Sequence, residues 1–159
     1  MAWIVGPRVV HVLAVVAWIG GVGFVTTVLL PAVRENVPRE DRVAFFERFE
    51  RRFAWQARFT TALAGLSGFW MVEALGLWGW FLEPSRWYLH LMVLVWTVFT
   101  LMLFVLEPLF LHDLLLARAR VDPDGTFERI VRLHRVLFAL GMIAAGGAVA
   151  GAHGWLMPV

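Results

Sequence analysis

The sequence predicts an all-α protein, an integral membrane antiparallel four-helix bundle with an amphipathic helix on its cytoplasmic side. Three observations predict it. Residues 8–31, RVVHVLAVVAWIGGVGFVTTVLLP, are apolar but for Arg8 at the edge, His11 and the pair Thr26 and Thr27, so no polar face is left for water. At about 1.5 Å rise per residue such a run crosses a hydrocarbon core of about 30 Å. The chain is 60% apolar and 16% charged, whereas a soluble domain is about half apolar and about a quarter charged. Its arginines, finally, gather in two connections. In lipid the backbone must satisfy its own hydrogen bonds, so the apolar runs are read as helices.

Taken in order, the first span covers about residues 5–31. It is too long for the apolar region of a cleavable signal and has no clear small-residue cleavage site after it, so it is expected to be retained. A charged segment, 34–52, follows. Pro38, Glu40 and Asp41 suit a helix start, and Val43, Phe46, Phe49 and Phe53 recur at helical spacing between arginines and glutamates. That pattern predicts an amphipathic helix lying at the membrane surface. The second span is expected over 54–81, the third over 87–111 and the fourth over 136–156. Glu83-Pro84-Ser85-Arg86 is a tight turn, and Asp122-Pro123-Asp124-Gly125 turns the chain within a second charged loop, 118–135. The whole of 1–159 reads as a single transmembrane domain.

Orientation follows from the arginines. Arg34, Arg39, Arg42, Arg48, Arg51 and Arg52 fall in the first connection, and Arg118, Arg120, Arg129, Arg132 and Arg135 in the last. Only Arg8 and Arg86 lie toward the other side. The positive-inside rule puts both connections in the cytoplasm and both termini outside, in a bacterial-type inner (plasma) membrane crossed several times. Trp78, Trp80, Trp87 and Trp155 would form the outer aromatic belt.

Several chemistries are excluded. There is no cysteine, hence no disulfide, thiolate metal site or cysteine-held iron–sulfur cluster. Fourteen arginines, no lysine and a net charge of +2 argue against nucleic acid as a partner. Any metal must sit on His, Glu, Asp or Met.

The histidines are the candidate ligands. An ionisable group at membrane depth marks a functional site, and imidazole is the commonest metal ligand among side chains. On this topology His11, His90 and His153 sit at comparable depth near the outer ends of three spans. His112 and His134 lie at the cytoplasmic ends and are weaker candidates. His90 and His112 are 22 positions apart, about 33 Å along a helix, too far to share a site. Glu73, in the outer half of the second span, is placed to orient a ligand imidazole from behind. Arg58 and Glu107 lie at matching depth and are expected to form a structural ion pair. Small residues, Gly20, Gly21 and Gly23, Gly65 and Gly68, and the run 141–152, suit close helix packing or a slot for a flat cofactor.

Haem b fits these features best. Two imidazoles from separate helices would bind iron, with His11 and His90 first and His153 the substitute, while Trp18 and Gly21 flank the slot and Arg86 meets the propionates. A second haem would use His112 and His134. Copper is the competing cofactor, because Met71, Met92, Met142 and Met157 lie toward the same side as the outer histidines. The protein would serve electron transfer or a haem-based redox reaction, with the lipid bilayer, a redox protein or quinone, and a second copy through the glycine faces as partners. An assembly factor without cofactor is the plainer alternative.

Three segments carry a resemblance. His11, Trp18-Ile19-Gly20-Gly21 and Pro31 look like the first helix of small membrane proteins related to CopD-like copper-resistance proteins and HemJ-type protoporphyrinogen oxidases. Arg52-Phe53-Ala54 through Thr60-Thr61 to Gly65 is similar to the opening of the HemJ second helix, and Trp87-Tyr88-Leu89-His90 to the Trp-Leu-His of its third. The resemblance implies a four- or five-helix haem b protein with His11 as leading ligand and His90 next, and either porphyrinogen oxidation or copper transport as its activity. The chain departs from it after His90, where Leu91-Met92-Val93 replace a lysine-bearing segment. It departs again at Leu133-His134-Arg135-Val136, where the family carries Asn-Glu-x-Pro. Both departures fall on the oxidase chemistry rather than on haem binding.

Overall fold

The structure, a computed structural model, describes residues 2–154. All regular elements among them are helical. After a short turn at Ala2–Ile4 come four long helices: α1 Val5–Asn36, α2 Arg42–Ala74, α3 Pro84–Ala119 and α4 Pro123–Ala152. Of these α1, α3 and α4 are long and apolar enough to cross a membrane. The second expected span falls short on composition, because Arg58, Thr60, Thr61, Ser67 and Glu73 dilute the apolar half of α2.

The expected boundaries change in three places. The surface helix over 34–52 and the span beginning at 54 are one uninterrupted 33-residue helix, α2; no glycine or proline at Arg52-Phe53-Ala54 stops it. That helix does not reach residue 81. It ends at Ala74, where Gly76 adopts φ 64°, a left-handed conformation that glycine takes without steric cost, and Leu77–Leu82 continue as a 3₁₀ turn. The charged loop 118–135 shrinks to three residues between α3 and α4. Asp122 caps α4 by accepting from the Gly125 N–H at 2.8 Å, Pro123 takes the first helical position, and Arg129, Arg132 and Arg135 ride on the helix. Trp155 and Met157, and the last residues of the expected fourth span, lie outside the described residues.

Two helices contain wide turns in which an N–H reaches back five residues, and each is next to a proline. In α1 they occupy Val25–Leu29, just before Pro31; in α3 they occupy Met102–Leu111 and enclose Pro108. Proline has no N–H and its ring crowds the carbonyl four residues earlier, and a wider turn relieves the clash. Side chains add bonds beside both. Thr26 and Thr27 donate one turn back to the carbonyls of Val22 and Gly23 at 2.7 and 2.8 Å. In α3 the Leu103 carbonyl, the group a residue-108 N–H would have reached, accepts from Arg58 Nε at 2.8 Å.

Packing buries two apolar cores. One joins Ala14, Trp18, Ile19 and Val22 of α1 with Ala64, Val95, Phe99, Leu137 and Ala144; the other joins Leu30, Val33, Val43, Phe46, Phe127 and Ile130. Aromatic rings lie on several glycines: Phe53 on Gly21, Phe138 on Gly23, Trp96 on Gly65, Trp87 on Gly147 and Tyr88 on Gly151. Most of the glycine pattern is therefore filled from within the chain by close packing, with Gly20 and Gly146 left open.

Both arginine-rich connections share one end of the molecule. Asp124 at the start of α4 pairs with Arg39 and Arg42 at 3.2 and 3.4 Å, and Arg34 pairs with Glu128 at 2.5 Å. At the other end Trp3 packs edge-on to Trp70, and Tyr88 meets Gly151. Between the ends the outside is apolar: on α1 alone Val5, Val9, Val12, Leu13 and Val16 are each at least half exposed. An apolar surface of that extent is unfavourable in water and suited to lipid.

Candidate functional site

His11, the leading expected ligand, lies on a cavity. One turn into α1, its Nδ1 lies 2.9 Å from the Ala64 carbonyl and 3.1 Å from Ser67 Oγ, both on α2. A carbonyl only accepts, so Nδ1 carries the proton and Nε2 keeps its lone pair. The hydroxyl of Ser67 itself donates to the Leu63 carbonyl. Gly68 makes the approach possible, since a Cβ there would stand 3.1 Å from the imidazole. Nε2 has no hydrogen-bond partner among the described residues. An imidazole held at one nitrogen by a backbone carbonyl, with the other free, is the arrangement found behind metal-bound histidine.

The cavity beside it measures about 250 Å³. Trp18, Phe69, Phe81 and Trp96 supply aromatic walls, Ala144 and Ala145 of α4 a flat one, and Met71 and Met92 two thioethers. No charged side chain lines it. Trp18, expected here, is buried edge-on to Phe99, and its Nε1 has no partner.

The other expected residues lie elsewhere. His90 is exposed, stacks edge-on with Phe81 and places Nε2 2.9 Å from the Phe81 carbonyl; it does not line the His11 cavity. His153 stands exposed at the end of α4, its Nδ1 2.8 Å from the Val149 carbonyl. Glu73 does not back His11. It accepts from Trp78 Nε1 at 2.7 Å and fastens the turn after α2. Arg86 is committed to Glu83 at 2.6 Å and lies over the Trp80 ring at 3.5 Å. Gly21 faces Phe53 rather than the cavity. Met142 is exposed. His112 Nδ1 bonds Glu47 at 2.5 Å, and His134 Nδ1 bonds the Ile130 carbonyl at 2.9 Å. Arg58 and Glu107 pair as expected.

Sequence reasoning did not single out Ser67, Trp96 or Phe69. Ser67 carries a signal in hindsight: it is a hydroxyl in an apolar helix half, three residues after a small residue. Among the described residues no three of His, Asp or Glu converge as a metal would need. The chain matches no family model, no characterised protein and no solved structure.

Proposed function

We propose that this chain is a multi-pass protein of a bacterial-type plasma membrane, a four-helix antiparallel bundle with both termini outside, in which the His11 cavity holds haem b through a single protein imidazole. The observation that carries the reading is His11 itself: Nδ1 anchored across the helix interface, Nε2 unpartnered, on the wall of an uncharged cavity with aromatic sides. The donor set fits one axial ligand and not two, because His90 is turned to the Phe81 carbonyl. Such a group supplies one-electron chemistry when bound, and electron transfer is the simplest use of it. The chain's own part is to fix the imidazole tautomer through Ala64 and Ser67 and to exclude water with Trp18, Phe69 and Trp96. The HemJ-like alternative, porphyrinogen oxidation, would use the same slot.

The apolar half of α2 supplies the fourth crossing in this reading. Both arginine connections at one end, tied by Asp124 and Glu128, support a cytoplasmic end for them. Reporter fusions at residue 1 and after residue 159 should both be active only outside the cytoplasm; an odd number of crossings would put one of them inside.

One observation favours a second reading. Met71 and Met92 line the same cavity as His11, and two thioethers with an imidazole are a Cu(I) set, as a CopD-like copper protein would need. Purified protein separates the two. Haem gives a Soret band that shifts on dithionite and is lost in His11→Ala but kept in Met71→Leu/Met92→Leu. Colourless protein that binds Cu(I) and loses it in the double methionine variant supports copper. Turnover of protoporphyrinogen by the red protein would identify the oxidase.

A further inference from the structure

A second cavity, of about 330 Å³, opens between all four helices near the arginine-rich end. Its walls are apolar, with Phe46 and Phe53 from α2, Phe99 and Leu111 from α3, and Ile130 and Leu137 from α4. Six polar side chains reach it: Glu50, Glu107, Arg118, Thr126, Arg129 and His134. Glu107 is paired with Arg58 and Thr126 donates to the Asp122 carbonyl at 2.7 Å, while Arg118 and Arg129 are exposed rather than enclosed.

Two remain. His134 gives its Nδ1 proton to the Ile130 carbonyl and packs edge-on against Phe46, so Nε2 is left as an acceptor with no partner among the described residues. Glu50 makes no hydrogen bond or ion pair among them either. Burial, with the carboxylates of Glu47 and Glu107 nearby, pushes Glu50 up to about 8. That shift favours the protonated form, in which the carboxyl donates.

We propose that this cavity binds the head group of a membrane quinone, its ring between Phe46, Phe53 and Phe99, one oxygen accepting from Glu50 and, in the reduced form, the opposite hydroxyl donating to His134 Nε2. The ligand class follows from what the walls lack. Glu50 needs an acceptor and His134 Nε2 a donor, while the space between is apolar and aromatic; a quinone offers a carbonyl to Glu50, and its reduced form adds a hydroxyl for His134 at the opposite end of a flat ring. A fatty acyl tail would leave both polar groups unpaired and desolvated. A phosphate or carboxylate would find its cations at the mouth and then face Glu50 and Glu107 within. A metal ion lacks a third ligand here. The proposal rests on this cavity alone and stands apart from the cofactor on His11.

The test uses full-length protein in lipid nanodiscs, with decylubiquinone and its reduced form as titrated ligands and a photoreactive azidoquinone to map the contact. Saturable binding of decylubiquinone is expected, with crosslinks in the segments around Phe46–Phe53 and Ile130–Leu137. Glu50→Leu should weaken binding of either form about tenfold, and His134→Phe that of the reduced form, the loss of one good hydrogen bond. Glu50→Gln keeps a donor at that position and should stay within about threefold of wild type, which separates a lost contact from a lost fold. His11→Ala should leave decylubiquinone binding unchanged even where it bleaches the Soret band, so the two readings fail separately. Absence of saturable binding, crosslinks only at the His11 cavity, undiminished binding in both Glu50→Leu and His134→Phe, or equal displacement by oleate would overturn the proposal.

Discussion

The two cavities are built on one device and differ in what surrounds it. Each carries a histidine whose Nδ1 proton goes to a backbone carbonyl and whose Nε2 is free. For His134 that carbonyl is Ile130, one turn back on its own helix; for His11 it is Ala64, on the neighbouring helix. The first ring is therefore oriented by local helix geometry, the second only by the docking of α1 on α2. The walls differ too. Thioethers and indoles surround His11, whereas acids, arginines and phenyl rings surround His134. A soft or planar metal group suits the former, a neutral hydrogen-bonding ring the latter. Fixing an imidazole does not define a site; the second ligand and the charge around it do.

Removing the charged buttress beside the Glu50 cavity should have the largest effect. Arg58→Met leaves Glu107 without its partner and the Leu103 carbonyl without a donor, and should cost about 3 kcal/mol in thermal or denaturant unfolding in detergent. Adding Glu107→Gln should recover most of it, since the uncompensated charge is then gone. No equivalent loss is available in the His11 cavity, which has no ion pair to break.

Next in size is Gly65→Val. A Cβ at this position would stand 2.5 Å from the Trp96 ring, so the variant should lose roughly 1–3 kcal/mol and lose cofactor from the His11 cavity, while decylubiquinone binding stays. Gly146→Ala, where nothing lies within 4 Å, is the matched control and should change neither.

Glu50 makes the difference between the cavities depend on pH. Its pKa is raised from 4.5 to about 8, so the folded protein holds a proton that the unfolded chain has released over that interval. Stability contributed by Glu50 is therefore highest at the acidic end, falls as pH rises toward about 8, and is flat above. Melting curves of Glu50→Gln should show a shallower decline across this window than wild type, with the neighbours Glu47, Glu107, Arg118, Arg129 and His134 unchanged. The smallest effect belongs to the exposed pair Arg34–Glu128, with side-chain exposures of 40% and 54%; Arg34→Ala should move stability by no more than about 0.5 kcal/mol.

The membrane character, the helical class and the pairing of Arg58 with Glu107 were legible in the sequence, because composition sets the solvent and position along an apolar run sets depth. Rotation about each helix axis was not. His90 matches His11 in depth yet faces Phe81, and Glu73 matches it yet faces Trp78. The wide turns at Val25–Leu29 and Met102–Leu111 add to this, since one extra residue in a turn swings everything beyond it by about 100°. Periodicity counted from the start of α3 thus misplaces Glu107 and His112, and with them the Glu50 cavity. The continuity of α2 escaped for another reason: a change from charged to apolar composition marks where solvent changes, and a helix can run through such a border intact.

The bond from Arg58 to the Leu103 carbonyl also bears on how the protein is made. Pro108 deprives that carbonyl of a donor within its own helix, so a third segment released alone into the bilayer would show a bare oxygen to hydrocarbon. It gains its donor only with α2 alongside. If α2 and α3 both cross as proposed, they are expected to enter the bilayer together, or the later one to wait in a wet place until the earlier arrives.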